Sequence, residues 1–154
     1  MAEKYRLKIG VDSYCFHRLF GEVYPHQNKK EDAFSMEDFL KYCHQTGVDG
    51  VSLESCFFPE FSPEYLAKVK GWIDAYGFDR VYAWGHPDGL EGGSNQSEFN
   101  SMMEHIQYAK AIGADVMRVV GSSLMFRFEP HEPQLAKLAA MFKIAVIEAE
   151  KHGI

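Results

Sequence analysis

The sequence predicts an α/β fold made of four strand–helix units around a parallel sheet. Three similar junctions indicate this, because in each a helical pattern runs into a glycine, an Asp follows two residues later, and a short apolar strand comes next. The junctions are HQTGVDGVSLES, DAYGFDRVYAWG and KAIGADVMRVVGS. Their glycines, Gly47, Gly77 and Gly113, suit the position just past a helix, where the backbone takes a left-handed conformation. They recur at spacings of roughly 30 to 40 residues, which fits βα units.

Short runs enriched in Val, Ile and Tyr mark the strands of these units. Strands that alternate with helices imply a parallel sheet with right-handed crossovers. The predicted strands are Leu7–Tyr14, Gly50–Glu54, Arg80–Trp84 and Val116–Gly121.

Each predicted strand is followed by a helix with a marked start. Ser is a favoured N-cap, and Pro is tolerated in the first helical turn. The predicted starts are Ser35, with Asp38 at the capping-box position, then Ser62-Pro63, Ser97 and Glu132-Pro133.

Composition limits the function classes. With 154 residues and 46% apolar residues, the chain can form one globular domain with a sizeable core. Its net charge of −6 argues against a nucleic-acid partner, which would need clustered Lys and Arg. The three cysteines, Cys15, Cys43 and Cys56, contain no C-x-x-C pair, which predicts reduced thiols with buried apolar roles in a cytoplasmic protein. Neither a signal peptide nor a membrane span is predicted.

The loops after the predicted strands carry the polar residues. A doubly wound open sheet is the alternative architecture, but no G-x-G-x-x-G follows the first strand, where the sequence reads DSYCFHRLFGE. The loops after strands one and three are long and rich in His, Asp, Tyr and Gly. Functional groups at strand C-terminal ends are typical of the catalytic face of a barrel, which closes with eight βα units.

Four segments carry a family resemblance: GVDGVSLE, a third strand ending in WGHP, AKAIGADVMRVVGSS, and a long helix ending in EAEKHGI. Together they resemble the xylose-isomerase-like TIM barrels, a superfamily that includes sugar-phosphate isomerases and epimerases. The A-x-x-x-G-A-D-x-x-R-V-x-G block is the most specific of them. The resemblance runs from Leu7 to Ile154 but covers only four of the eight βα units. It implies that residues 1–154 are the N-terminal half of a TIM barrel.

The resemblance also bears on the final segment, Glu148–Ile154. In such barrels the chain continues after HGI as a fifth strand that carries a metal-binding glutamate. EAEKHGI therefore resembles the lead-in to a strand that follows elsewhere. Two alternatives stay open: a half-barrel completed by another copy or another polypeptide, or a fragment. Because a bare half would expose strand edges and apolar surface, we expect a partner.

The first loop, DSYCFHRLFGEVYP, supplies the candidate substrate-binding residues Tyr14, His17 and Arg18. Aromatic residues interleave with these polar groups, which suits a pocket wall that stacks a ring. The alternative is a surface loop whose aromatics only cover the barrel mouth.

Two residues are candidates for acid–base catalysis. Glu54 ends the second strand, and a carboxylate there could bind sugar hydroxyls or move a proton. His131 precedes the last helix, and an imidazole titrates near neutral pH. The alternatives are an ion pair between Glu54 and Arg118 and an ordinary surface position for His131.

Three further residues are expected to bind substrate: His86, Arg118 and Arg127. His86 ends the third strand. In similar barrels a histidine at that place lies beside the substrate, or binds zinc in the endonuclease branch. Arg118 lies within the fourth strand, so its side chain must enter either the barrel interior or the helix layer.

No metal site can be assembled from this sequence. The candidate ligands lie one at each strand end, and no local motif such as H-E-x-x-H brings two of them together. These candidates are His17, Glu54, His86 and His131. In the resembling superfamily the ligands come mainly from strands five to eight. The resemblance therefore implies a divalent ion, Mn, Mg or Zn, held mainly by strands absent from this chain, and a sugar or sugar-derivative substrate.

The leading hypothesis is part of a metal-dependent sugar isomerase or epimerase that abstracts a proton next to a carbonyl. One alternative is a C-glycoside deglycosidase, a lyase that eliminates an aglycone from a 3-keto glycoside. Another is a noncatalytic half-barrel subunit. The endonuclease branch of the superfamily is disfavoured by the acidic balance.

Overall fold

The computed structural model describes residues 6–28, 34–85, 89–122 and 128–154 and alternates strands with helices along the chain. Four parallel strands form one sheet in the order β1-β2-β3-β4. The strands are β1 (Gly10–Asp12), β2 (Gly50–Glu54), β3 (Asp79–Trp84) and β4 (Val116–Val119). The helices are α1 (Met36–Thr46), α2 (Pro63–Tyr76), α3 (Gln96–Ala111) and α4 (His131–His152). The predicted (βα)4 architecture is confirmed.

The strands largely match their predicted bounds, and the first differs most. The expected strand Leu7–Tyr14 reduces to β1, Gly10–Asp12, because a 3-10 turn over Ser13–Phe16 follows at once. The Asp12 side chain accepts a hydrogen bond from the Tyr14 amide and so starts this turn. β4 likewise ends at Val119, two residues before the predicted Gly121.

Two helix starts follow the prediction and two do not. Ser35 and Asp38 form a reciprocal capping box, and Ser62 caps α2 with Pro63 in the first turn. The third helix begins before Ser97, because the Asn95 side chain accepts from the Glu98 amide and makes Asn95 the N-cap.

The last helix, α4, begins at His131 rather than at Glu132-Pro133. Pro133 then lies in the first turn, where a missing N–H leaves no intrahelical bond unmade. The sequence expectation was therefore off by one residue at this helix start.

The chain divides into two compact units, Met1–Arg80 and Val81–Ile154. In the first, β1 pairs with β2 in the register Gly10↔Gly50 to Asp12↔Ser52, and α1 packs against α2. The core is aliphatic and aromatic, and its fully buried side chains include Phe39, Leu40, Leu53, Val69 and Ile73. Gly50 is required there, because a Cβ would lie 2.9 Å from the Asp79 carbonyl oxygen.

In the second unit, β3 pairs with β4 from Val81↔Val116 to Trp84↔Val119. Tyr82, Met102 and Ile106 are among its buried core residues. α4 packs against α3 and against the 3-10 turn Glu91–Gly93, yet none of its 22 residues is buried. One face of this helix is therefore uncovered.

The cysteines differ from expectation. All three are free thiols, but only Cys43 is buried, whereas Cys15 and Cys56 are exposed. The prediction of a buried role fails for these two because both lie in the 3-10 turns that follow β1 and β2. In the part of the chain that the structure describes, no helix combines the length and apolar character needed to cross a bilayer.

Candidate functional site

The C-terminal ends of β1 and β2 bring a set of polar side chains together in the first unit. The Ser52 hydroxyl donates to the Asp12 carboxylate (2.8 Å), across the register pair that aligns these residues. Ser13 is fully buried, and its Oγ accepts a hydrogen bond from the Glu54 amide (2.9 Å). Glu54 itself is only 4% exposed. A buried carboxylate at a strand end is a functional-site feature, since removing its charge from water has a cost that packing alone does not require.

A second polar group forms in the loop after β1. The Tyr14 hydroxyl lies 2.7 Å from the Tyr24 hydroxyl and donates to the Glu22 carboxylate at 3.1 Å. The hydrogen bond with Tyr24, then partial burial and the Glu22 carboxylate, raise the pKa of the Tyr14 phenol above its ordinary value. Tyr14 therefore stays a neutral hydrogen-bonding group at physiological pH.

His17 is held by the same loop. Its Nδ1 lies 3.0 Å from the Glu22 carbonyl oxygen, which can only accept, so Nδ1 carries the proton. The Glu22 amide donates in turn to the His17 carbonyl (2.9 Å). These reciprocal bonds leave Nε2 as the nitrogen available to a ligand.

Aromatic rings surround this polar group. Tyr14 stacks on His17 with ring centroids 5.4 Å apart and on Phe57 at 6.1 Å. Phe20 and Phe57 are stacked nearly parallel, with 7° between the ring planes and 4.4 Å between the ring centroids. Aromatic faces next to hydroxyls and a carboxylate can bind a ring that carries hydroxyl groups, because the ring packs on the aromatic faces and its hydroxyls form hydrogen bonds.

Three other predicted site residues lie elsewhere. Arg18 is exposed in the turn that follows the 3-10 segment. Arg118 lies in β4 in register with Ala83. Arg118 is exposed. His131 is exposed as the first residue of α4.

His86 and Arg127 lie outside the described residues. Glu54 and Arg118 belong to different units, so their pairing stays a prediction. The structure thus brings together Tyr14 and His17, and places Glu54 at the end of the neighbouring strand.

Sequence reasoning missed Ser13, Ser52 and Tyr24 as partners in these networks. A signal for Ser52 was present, because parallel strands that begin at Gly10 and Gly50 align Asp12 with Ser52. Tyr24 gave no comparable signal, since its contact depends on how the loop folds back.

Side chains of the types that bind metals do not gather into a metal site in the described residues. Within those ranges no group of three or more His, Cys, Asp or Glu side chains is arranged to hold a metal ion. These residues therefore do not form a metal site by themselves.

Solved structures with the same fold include two sugar epimerases and a xylose isomerase domain protein. Over 96% of its length the chain matches D-psicose 3-epimerase crystallised in the presence of D-fructose, with 11% identity and a TM-score of 0.70, and it covers 50% of that protein. It matches a xylose isomerase domain protein from Planctomyces limnophilus with 16% identity and a TM-score of 0.67, covering 98% of this chain and 53% of that one. The D-allulose 3-epimerase from Methylomonas sp. in complex with D-allulose gives 14% identity and a TM-score of 0.61, over 100% of this chain and 51% of that one. No protein-family model and no curated protein matches the chain.

The chain therefore spans about half the length of the solved structures that it resembles. Its fold is that of half of a TIM barrel, as the sequence predicted. At identities of 11 to 16% this likeness concerns the fold, because one barrel architecture hosts many chemistries.

Proposed function

We propose that this chain supplies half of the active-site mouth of a sugar isomerase or epimerase that moves a proton on the carbon next to a carbonyl. The buried carboxylate of Glu54 at the end of β2 is the observation that carries the proposal. Isomerisation and epimerisation both need a base that can take this proton and an acid that can return it. Two of the matched proteins are sugar epimerases, one crystallised in the presence of D-fructose and one in complex with D-allulose, and they support the same reaction class.

In this proposal Glu54 is the proton-transfer group, and the loop after β1 binds the sugar. Ser13 fixes the backbone at Glu54 through the hydrogen bond from the Glu54 amide. Tyr14 and His17 offer a stacked face with a phenol and an imidazole at its edge. Arg118 of β4 is a further proposed contact to the substrate. His86, Arg127 and His131 are kept as further proposed contacts, the first two to substrate and the third as a general base.

The proposed divalent ion, Mn, Mg or Zn, would be bound by groups outside this chain. When bound, such an ion polarises the carbonyl oxygen and makes the neighbouring proton easier to remove. The described residues contribute no metal site of their own, so their proposed work is to position the substrate and to transfer the proton. A partner that supplies the other half of the mouth is part of the proposal, as is a cytoplasmic location.

Solvent deuterium exchange tests this function. Ketohexoses such as D-fructose and D-allulose are incubated in D₂O with a divalent ion and the assembled protein, which is this chain together with the partner that supplies the other half of the mouth. Deuterium at the carbon next to the carbonyl is then measured by NMR. Glu54→Gln should reduce exchange at least about 100-fold, within the range that general acid–base groups contribute. Glu37→Gln, which changes an exposed carboxylate paired with Lys41 on α1, is the matched control and should retain the wild-type rate.

Wild-type exchange by Glu54→Gln would contradict the catalytic role of Glu54. A 3-keto glycoside in the same assay distinguishes the lyase alternative, because elimination releases the aglycone instead of exchanging label. Binding of a ketohexose without exchange in any variant would support the noncatalytic alternative.

A further inference from the structure

Three side chains of the loop after β1 form a hydrogen-bond chain whose direction is fixed. Glu22 ends the chain, because an ionised carboxylate can only accept hydrogen bonds. The single proton of the Tyr14 hydroxyl is therefore donated to Glu22, at 3.1 Å. The contact of 2.7 Å between the Tyr14 and Tyr24 hydroxyls must then use the Tyr24 proton. The chain of donors runs from Tyr24 through Tyr14 to Glu22.

This direction leaves the Tyr24 hydroxyl with lone pairs and no free proton. Toward a ligand, its oxygen can therefore accept a hydrogen bond but cannot donate one. Hydrogen bonds in a chain polarise one another, so the carboxylate at the far end makes the Tyr24 oxygen a stronger acceptor. Tyr24 is 40% exposed, so a ligand can reach it.

A second acceptor lies on the neighbouring ring. Nδ1 of His17 donates to the Glu22 carbonyl oxygen, so in the neutral imidazole Nε2 has a lone pair and no proton. The centroids of the His17 and Tyr24 rings lie 5.1 Å apart. Two acceptors on adjacent rings match a ligand with two neighbouring donors, which is the pattern of hydroxyls on a sugar.

The backbone holds Tyr24 in this position before a ligand arrives. The Tyr24 amide donates to the side-chain oxygen of Gln27 at 3.1 Å, and the Gln27 amide donates to the Tyr24 carbonyl at 2.8 Å. The Tyr24 ring also stacks on His26, with 6.2 Å between centroids and 8° between planes. A side chain that is already fixed loses little conformational entropy on binding, so it can contribute to selectivity.

The same loop lies beside the turn that follows Glu54. Tyr14 stacks on Phe57 of that turn. Burial, and then the charges of Glu54 and Glu22, raise the pKa of the Cys56 thiol in the turn to about 12. Both carboxylates therefore act on one neighbourhood, and the hydrogen-bond chain lies near the proposed proton-transfer group.

We infer that Tyr24 is a specificity-determining residue that accepts a hydrogen bond from a sugar hydroxyl, and that Glu22 is the positioning residue that sets the direction of this bond. The inference rests on the proposed function, which assigns this loop to the sugar. A phosphate dianion or a carboxylate cannot donate to Tyr24. Among the described residues no Lys or Arg forms an ion pair with Glu22, so such an anion would also be repelled. The substrate class is therefore a sugar with free hydroxyls where this loop binds it.

Deoxyfluoro analogues of D-fructose test the direction of the bond, because fluorine is close in size to a hydroxyl but cannot donate. Affinities are measured by isothermal titration calorimetry on the assembled protein, this chain together with the partner that supplies the other half of the mouth. The analogue fluorinated at the carbon whose hydroxyl contacts Tyr24 should bind about 10-fold more weakly than D-fructose, as expected for the loss of one hydrogen bond.

Tyr24→Phe removes the acceptor and keeps the ring. This variant should bind D-fructose about 10-fold more weakly than wild type does, yet bind that one analogue as wild type does, because both changes remove the same bond. A merely structural role would instead weaken the binding of every analogue alike. Tyr42→Phe is the matched control, since Tyr42 is a similarly exposed tyrosine (43%) on α1; it should bind all the sugars like wild type.

Glu22→Gln tests what sets the direction. An amide can donate as well as accept, so the chain can reverse and Tyr24 can then donate its proton to the ligand. The preference for hydroxyl over fluorine at that carbon should fall from about 10-fold to about 3-fold or less. An unchanged preference in this variant contradicts the positioning role of Glu22.

Equal affinity of wild type for D-fructose and for every fluorinated analogue overturns the inference, as does an equal loss for all analogues in Tyr24→Phe. Every readout is an affinity, so the result separates from the proposed reaction. Deuterium exchange together with binding that does not depend on Tyr24 overturns this inference and leaves the reaction intact. Binding that depends on Tyr24 without exchange supports the inference and overturns the reaction. An assembled protein that binds none of these sugars overturns both.

Discussion

Among single residues, His105 combines burial with a hydrogen bond to a core tyrosine. Its Nδ1 lies 2.5 Å from the hydroxyl of Tyr82, a fully buried residue of β3. Burial disfavours the imidazolium and lowers the pKa of His105 to about 4. The pair lies in the second unit.

This environment makes stability depend on pH. An unfolded histidine binds its proton below about pH 6.5, whereas folded His105 does so only near pH 4. The unfolded state therefore holds more protons in that window, and the free energy of unfolding falls as pH drops through it, by about 3 kcal/mol at most. Urea denaturation between these pH values measures the slope. His105→Gln should flatten the slope, while Tyr82→Phe should lower stability and keep the slope; equal slopes in wild type and His105→Gln would contradict the assignment.

Residue-level expectations from the sequence succeeded where one side chain decides the outcome locally. Glu54 was predicted at a strand end and is found there, buried. Tyr14 and His17 stack on each other, and their role as pocket lining stays a prediction. The contact of Tyr14 with Tyr24 could not be predicted, because a loop that folds back on itself brings residues together without periodicity.

At the scale of elements, helix starts show how far local signals reach. Ser35 and Asp38 are three residues apart, and each side chain accepts a hydrogen bond from the backbone amide of the other. The start of α1 therefore follows from four residues of sequence. The α3 start offers two competing caps, Asn95 and Ser97. Propensity does not separate Asn from Ser at an N-cap, but the Glu98 amide bonds to Asn95, and this contact decides the start.

Alanine substitution distinguishes the two caps of α3. Asn95→Ala should lower the free energy of unfolding by about 1 kcal/mol, because the Glu98 amide loses its acceptor. Ser97→Ala should be nearly neutral, since Ser97 lies inside the helix and alanine is the better helix former. Thermal or urea unfolding of both variants measures the difference. A larger loss for Ser97→Ala than for Asn95→Ala would contradict the observed start.

Strand bounds were less predictable than strand positions. Apolar runs located all four strands, but their ends depend on pairing and on capping turns. Leu7 and Ile9 match strand composition, yet β1 begins at Gly10. Asp12 ends β1 by capping the following turn. Neither effect is visible in the hydrophobic pattern.

At the scale of the whole molecule, charge separates the candidate functions. The net charge of −6 opposes binding to a polyanion, because nucleic-acid affinity comes largely from Lys and Arg at phosphates. We expect no retardation of an abasic-site DNA duplex in a gel at physiological salt. A duplex without the lesion is the control. Lesion-specific retardation would favour the endonuclease branch over a sugar substrate.

The glycines under α4 limit which side chains this protein accepts. A Cβ on Gly93, whose φ is +86°, would lie 2.5 Å from the Lys137 Cβ, and one on Gly92 would meet Gln134 at 2.6 Å. A saturation library read by folding reporters should therefore lose nearly every substitution at Gly93, while the exposed glycine Gly71, with open space around it, tolerates many. The side chains that this turn tolerates are therefore limited by α4, a helix some forty residues further along the chain. Larger residues in the turn would require matching changes in α4, so the two segments would have to change together during evolution.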